Sequence, residues 1–186
     1  MGFDLYGLDP MVNPDGPPKP DKVQFGEDGF HEYAEMQHEF EQANVGVYFR
    51  NNVWYWRPLW EYVCYCTPCR TVLTEEDIEN GFSNAGHEIS EEKSIIIGRL
   101  LMDLVNDGSV ASYELTRQME LDAQPDETCP ICEGSGQRND MYVQGDCNGC
   151  HGKGTRRPFN TNYHFSIENV REFAEFCLMS GGFSIC

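Results

Sequence analysis

At 186 residues, with 40% hydrophobic and 12% aromatic side chains, the chain is long enough to bury one sizeable core and carry a small appended module. Its 13 Lys and Arg stand against 31 Asp and Glu, and the resulting formal charge of −18 repels nucleic-acid phosphates over most of the surface. No apolar run approaches the ~18 residues of a membrane span and the acidic, proline-rich start does not read as a secretion signal, so the expected location is cytoplasmic with no membrane partner.

A short strand is expected at the start, followed by an extended loop over Pro10, Pro14, Pro17, Pro18 and Pro20 that runs to about residue 29. From Phe30 to Asn44 the three- and four-residue spacing of Phe30, Tyr33, Met36 and Phe40 predicts an acidic amphipathic helix. His31, Glu35 and His38 are of metal-ligating types, but they lie largely off that stripe and a solvated helix face accounts for them. Val45–Phe49 reads as a strand.

Trp54, Tyr55, Trp56, Trp60 and Tyr62 then crowd around Arg57 and Pro58. Burying rings of this size is the largest apolar gain the chain offers, so they are expected to anchor the core, with Arg57 on a ring or a carboxylate. Left exposed, the same rings would be binding hot spots or stacking platforms for bases. Cys64, Cys66 and Cys69 resemble half of a second metal site with His87 as a further ligand, but no matching pair is evident, and buried or free thiols are expected.

Thr74 to Asp77 has the form of a capping box opening a short helix that ends at Asn80-Gly81. Ser90 can cap a longer helix with Ile96, Ile97, Leu100, Leu101, Leu104 and Val105 on one face and Asp107-Gly108 as its stop. Ser109 to about Leu121 reads as another helix, and 124–127 as a linker. Near the end, 163–165 reads as a strand, Ser166 caps a helix with Ile167, Val170, Phe173 and Phe176 inward, Ser180-Gly-Gly182 terminates it, and 183–186 forms a closing strand. Cys177 falls on the core side of that helix.

The most specific pattern lies between these helices. Cys129-Pro-Ile-Cys132-Glu-Gly-Ser-Gly136 and Cys147-Asn-Gly-Cys150-His-Gly-Lys-Gly154 are two copies of CxxCxGxG. Each CxxC places two sulfurs on one turn about 2.3 Å from a shared Zn²⁺, and two such turns close a tetrahedral site with no vacancy for substrate. Cys129, Cys132, Cys147 and Cys150 are therefore the expected ligands of one structural Zn²⁺, with iron in the same thiolate cage as the chemical rival. A redox or disulfide role for the pairs would call for a βαβ context, which the surrounding sequence lacks. Gly134, Gly136, Gly152 and Gly154 suit a chain that leaves each metal turn through positive φ, bringing backbone amides to the thiolates. Ile131, Met141, Tyr142, Val143 and Phe159 are the few large apolar groups of this stretch, and segments below about 40 residues usually need metal or disulfides to fold.

Residues 129–160 hold four basic and three acidic side chains, a net of +1, so the remainder carries −18 − 1 = −19. Lys153, Arg156 and Arg157 form a candidate basic tip for nucleic acid, although three charges also serve simply to solvate a loop. The acidity of the remainder is read as solubility, with mimicry of nucleic-acid phosphates as the sharper alternative. The sequence contains no GxxxxGK[ST], GxSxG or HExxH, and no His-x-Glu joined to the cysteine pairs as in zinc deaminases, so no reaction is selected and a noncatalytic role is expected.

From Cys129 to Gly154 the repeat resembles the cysteine-rich region of DnaJ-type chaperones, whose paired CxxCxGxG units bind zinc and help contact non-native polypeptides. That family has four repeats and two zinc sites, whereas two repeats here imply one, and the chain contains no His-Pro-Asp tripeptide. Met1–Pro10, Tyr48–Trp60, Phe165–Phe176 and Ser180–Phe183 look like a family of uncharacterised bacteriophage proteins that also carry two CxxC pairs, with residues 13–44 as an insertion.

The expected architecture is α+β: a helix-rich body with short strands over 1–128 and 161–186, and an inserted four-cysteine module, zinc-ribbon or DnaJ-like, over 129–160. The expected function is that of a noncatalytic, phage-encoded, zinc-binding interaction protein acting on a host or phage protein. An acidic anti-defence inhibitor or nucleic-acid mimic is the alternative, and nucleic-acid binding through the module is the second alternative.

Overall fold

The structure is a computed structural model and describes residues 2–186. The chain separates into two compact units, Met1–Ser112 with Phe165–Cys186, and Tyr113–His164. Both helix and strand are present, and among the described residues no helix is long and apolar enough to cross a membrane.

The first unit is organised by an antiparallel four-stranded sheet. Strands β1 (Gly2–Gly7), β2 (Tyr48–Asn52), β3 (His87–Ile89) and β8 (Phe183–Ile185) are ordered β2-β1-β8-β3, so strands from the two ends of the sequence pair at its centre. Leu5 lies opposite both Phe49 and Ile185, and Ile89 opposite Phe183. Alternation along each strand puts Phe3, Leu5, Phe49, Ile89, Phe183 and Ile185 into the core. Tyr6, Tyr48 and Arg50 are less buried.

Helix α2 (Val53–Glu61) carries the aromatic run and supplies much of the core. Asn52 starts it, its Oδ1 accepting from the Trp54 and Tyr55 amides at 3.0 and 3.2 Å. Trp56 and Trp60 are fully buried and stacked with centroids 5.5 Å apart, and Trp56 also meets Phe3 and Phe173 at 5.5 Å. Their indole N–H groups donate to the Gly81 and Ile78 carbonyls, satisfying the polar edge that burial would otherwise strand. Pro58 sits inside this helix and lacks the N–H that would bond one turn back; the helix runs on into a π-helical turn at Tyr62–Cys66, and after an extended Thr67 a separate 3-10 turn spans Pro68–Thr71.

Helices α1 (Phe30–Ala43), α3 (Glu75–Asn80), α4 (Glu91–Asn106) and α6 (Ile167–Met179) complete this unit, and α5 (Ser109–Asp122) leads from it into the second. Ser90 and Ser166 cap α4 and α6 through the Lys93 and Asn169 amides, and Thr74 and Asp77 form a complete capping box. α4 buries Ser94, Ile97, Gly98, Leu101 and Val105, a narrower stripe than expected, with Ile96, Leu100 and Leu104 only half-buried. It lies against α6 at Gly98, where a Cβ would come 2.8 Å from Leu178 Cγ and 2.9 Å from the Ala174 carbonyl oxygen. Beside that approach the buried Ser94 hydroxyl donates to the Cys177 carbonyl at 2.8 Å.

Several expectations shift. The second strand occupies 48–52 rather than 45–49, because the chain turns at Asn44–Val47, with the Val47 amide bonded to the Asn44 carbonyl. On α1 only Phe40 is buried and Met36 is exposed. Residues 163–165 form no strand; they follow a 3-10 turn at Phe159–Asn162 and lead into α6.

Candidate metal centre

The second unit contains two short antiparallel ladders, β4 (Glu127–Thr128) with β7 (Thr155–Arg156) and β5 (Gln137–Asn139) with β6 (Gln144–Asp146). Each cysteine pair sits on a turn between a strand of one ladder and a strand of the other. A shift of 18 positions, the separation of Cys132 from Cys150, carries one half onto the other.

The correspondence extends to the backbone. The Cys129 amide donates to the Gly154 carbonyl at 2.9 Å, and its counterpart, the Cys147 amide, donates to the Gly136 carbonyl at 2.8 Å. Each half is therefore pinned by the glycine that ends the other. Within each half the chain leaves the CxxC turn through φ near 50° at Glu133 and His151, then through positive φ at the following glycines. This route aims the Gly136 amide at Cys132 Sγ (3.3 Å) and the Gly154 amide at Cys150 Sγ (3.2 Å). Space is as restrictive as conformation, since a Cβ on Gly136 would lie 2.4 Å from the Gly152 carbonyl oxygen and one on Gly154 equally close to that of Gly134.

Cys129, Cys132, Cys147 and Cys150 form one buried group whose sulfurs all lie within 4.8 Å of one another. Tetrahedral coordination with metal–sulfur bonds of about 2.3 Å places ligand sulfurs about 3.8 Å apart. The Cys132 and Cys150 sulfurs are 3.7 Å apart, well beyond the ~2.05 Å of a disulfide, and the structure joins none of the nine cysteines in a disulfide. The donor set and its spacing thus fit one thiophilic metal ion. Burial opposes ionisation at Cys132, but the Gly136 amide and the neighbouring sulfurs outweigh it and hold its pKa at about 7. At Cys150 burial and the same neighbours push the pKa up to about 11, although the Gly154 amide pulls against them. A dication at the centre would favour all four thiolates together.

The other candidates are dispersed. Cys64 and Cys69 are buried and Cys66 exposed; burial pushes the Cys64 thiol up to about 12. Among the described residues they join no group of metal ligands, and His87 instead holds Asp77, with Nε2 3.0 Å from Oδ1. His31 pairs with Glu35 at 3.3 Å on an exposed face of α1. Of the basic residues, Arg156 pairs with Glu127 at 3.0 Å, while Arg157 donates to the Leu121 and Gln124 carbonyls and lies 3.7 Å from Asp126; Lys153 is exposed. Both arginines are thus engaged within their own unit.

One polar centre was not anticipated as such. Asp77, only 4% exposed at its side chain, receives the Thr74 amide at 2.7 Å, Lys93 Nζ at 2.5 Å and His87. The sequence marks Asp77 as a helix cap but carries no local sign that β3 and α4 converge on it.

Fold and site together define a mixed α+β chain with a four-cysteine cluster able to hold a metal ion. Compared with known proteins, the chain matches no family model, no curated protein and no solved structure.

Proposed function

We propose that this is a noncatalytic, phage-encoded interaction protein in which one structural Zn²⁺, held by Cys129, Cys132, Cys147 and Cys150, orders a module that contacts a host or phage protein in the host cytoplasm. One observation carries the metal reading: between residues 129 and 160 the only buried side chains are the four cysteines themselves. Apolar burial cannot hold such a stretch, whereas structural zinc contributes roughly 10–16 kcal/mol in small metallopeptides. When bound, the ion supplies cross-linking, because four thiolates leave no open position for a reacting group.

The interaction reading is supported by what the module leaves outside. Ile131, Met141, Tyr142 and Phe159 are all exposed, with Met141 at 85% and Tyr142 at 81%, and these are side chains that protein contacts use. Resemblance to the DnaJ-type cysteine-rich region points the same way, as does the resemblance of the flanking segments to phage proteins. The charge of −19 outside 129–160 favours a second reading, an acidic inhibitor that occupies a basic groove on its partner.

Elemental analysis of freshly purified, reduced protein tests the metal: one equivalent of zinc is expected, and Cys129→Ser should lose it while the tryptophan emission of the first unit stays native. A wild-type chain that is metal-free yet fully ordered, or a mutant retaining a full equivalent, would refute the reading; iron in its place would correct the ion. For the partner, salt and DNA decide between the two readings: competition by DNA supports mimicry, and salt-insensitive binding removes it.

A further inference from the structure

A groove of about 630 Å³ opens in the first unit, and its walls include Tyr6, Tyr33, Lys19, Lys22, Gln37 and Glu41. Its volume falls within the range of small-molecule sites. The first 49 residues contain ten Asp and Glu but only two Lys or Arg, and both of those, Lys19 and Lys22, line this one groove. Among the described residues neither lysine has an ion-pair or hydrogen-bond partner. Two unpaired ammonium groups held together on an otherwise acidic surface are suited to an anion.

The other walls describe what that anion is attached to. Tyr6 packs against Tyr48 with centroids 5.2 Å apart, and Tyr48 donates its hydroxyl to Asp4, so Tyr6 offers a braced ring to a planar ligand, with Tyr33 as a second. Gln37 Nε2 donates to Glu41 Oε1 at 2.6 Å. That bond uses one of the two Gln37 N–H donors and leaves the Gln37 oxygen and the second Glu41 carboxylate oxygen as acceptors. A ring with two adjacent N–H donors matches these two acceptors, and guanine presents such a pair at N1 and N2; the Glu41 carboxylate only accepts, so it has no proton for the bare ring nitrogen that adenine sets beside its amino group.

We propose that this groove binds a guanine mononucleotide, with the base on Tyr6 and Tyr33, its N–H edge on Glu41 and Gln37, and its phosphate on Lys19 and Lys22. Asp21, which also lines the groove, and the overall charge of −18 keep long polyphosphates and nucleic-acid strands out, so the ligand is a small nucleotide.

Calorimetric titration of the whole protein at low ionic strength with GMP, AMP, guanosine and inorganic phosphate tests this. GMP should bind at least about tenfold more tightly than guanosine or phosphate alone, since each lacks one set of charge-assisted or stacking contacts. Lys19→Gln and Lys22→Gln should each weaken GMP about tenfold, and Glu41→Gln should abolish the preference for GMP over AMP. The lysines are exposed and Glu41 is half-buried, so native tryptophan emission is expected in every variant. No binding at millimolar GMP, or GMP binding unchanged by both lysine substitutions, overturns the site. AMP bound as tightly as GMP overturns the assignment of the base.

Discussion

Removing the buried Asp77 carboxylate should destabilise the first unit. Its side chain closes the α3 capping box through the Thr74 amide and ties β3 and α4 together through His87 and Lys93. Loss of the cap is worth about 1 kcal/mol, and loss of the charged hydrogen bonds about 1.5–3 kcal/mol, so Asp77→Ala should lower unfolding free energy by roughly 3 kcal/mol. Lys93→Met should cost less, about 1–2 kcal/mol, because Lys93 is 27% exposed and Asp77 keeps its other partners. Urea denaturation followed by tryptophan emission reads this unit selectively, since Trp54, Trp56 and Trp60 all belong to it and two of the indoles bond to α3 and the residue that follows it. With an m-value of about 2 kcal/mol/M, the Asp77→Ala midpoint should fall by about 1.5 M.

The pH dependence has a definite sign. Burial by itself raises the Asp77 pKa, but the bonds from Lys93, the Thr74 amide and His87 outweigh it and hold the carboxyl well below the ordinary range. Its stabilisation is therefore complete above the unfolded value of about 3.9 and is lost as pH falls through the lower folded value. The gap between wild type and Asp77→Ala should narrow as pH falls below about 4. A midpoint shift under about 0.3 M at neutral pH, or a gap that widens below about pH 4, would refute the reasoning.

Two further substitutions probe close approaches. Gly154→Ala places a Cβ 2.4 Å from the Gly134 carbonyl oxygen at φ 77°, so metal affinity in a chelator competition should fall at least about thirtyfold, equivalent to about 2 kcal/mol of strain; unchanged affinity would mean that the two halves are not interlocked. Gly98→Val wedges α4 from α6 against Leu178 and the Ala174 carbonyl and should lower the thermal stability of the first unit by about 1–3 kcal/mol, measured by calorimetry; a neutral result would contradict the contact.

What could be read from the sequence was whatever depends on near neighbours. Thr74, Ser90 and Ser166 announce their helices because a side-chain cap needs only amides two or three residues on, and the apolar spacing of α6 reports a face that any neighbour will cover. The paired CxxCxGxG turns were legible for the same reason, since ligand spacing within each turn is a local property. Helix α2 escaped notice because Pro58 argues against a helix locally, while the burial of Trp56 and Trp60 that outweighs it involves Phe3, Gly81 and Phe173 from distant parts of the chain. The pairing of β1 with β8, the exchange of Cys129 and Cys147 bonds with Gly154 and Gly136, the convergence of three elements on Asp77 and the gathering of Lys19 and Lys22 opposite Glu41 were all decided by the tertiary structure. Each requires partners far apart in sequence, and a hydrogen bond or a register between distant segments leaves no periodicity in either segment alone.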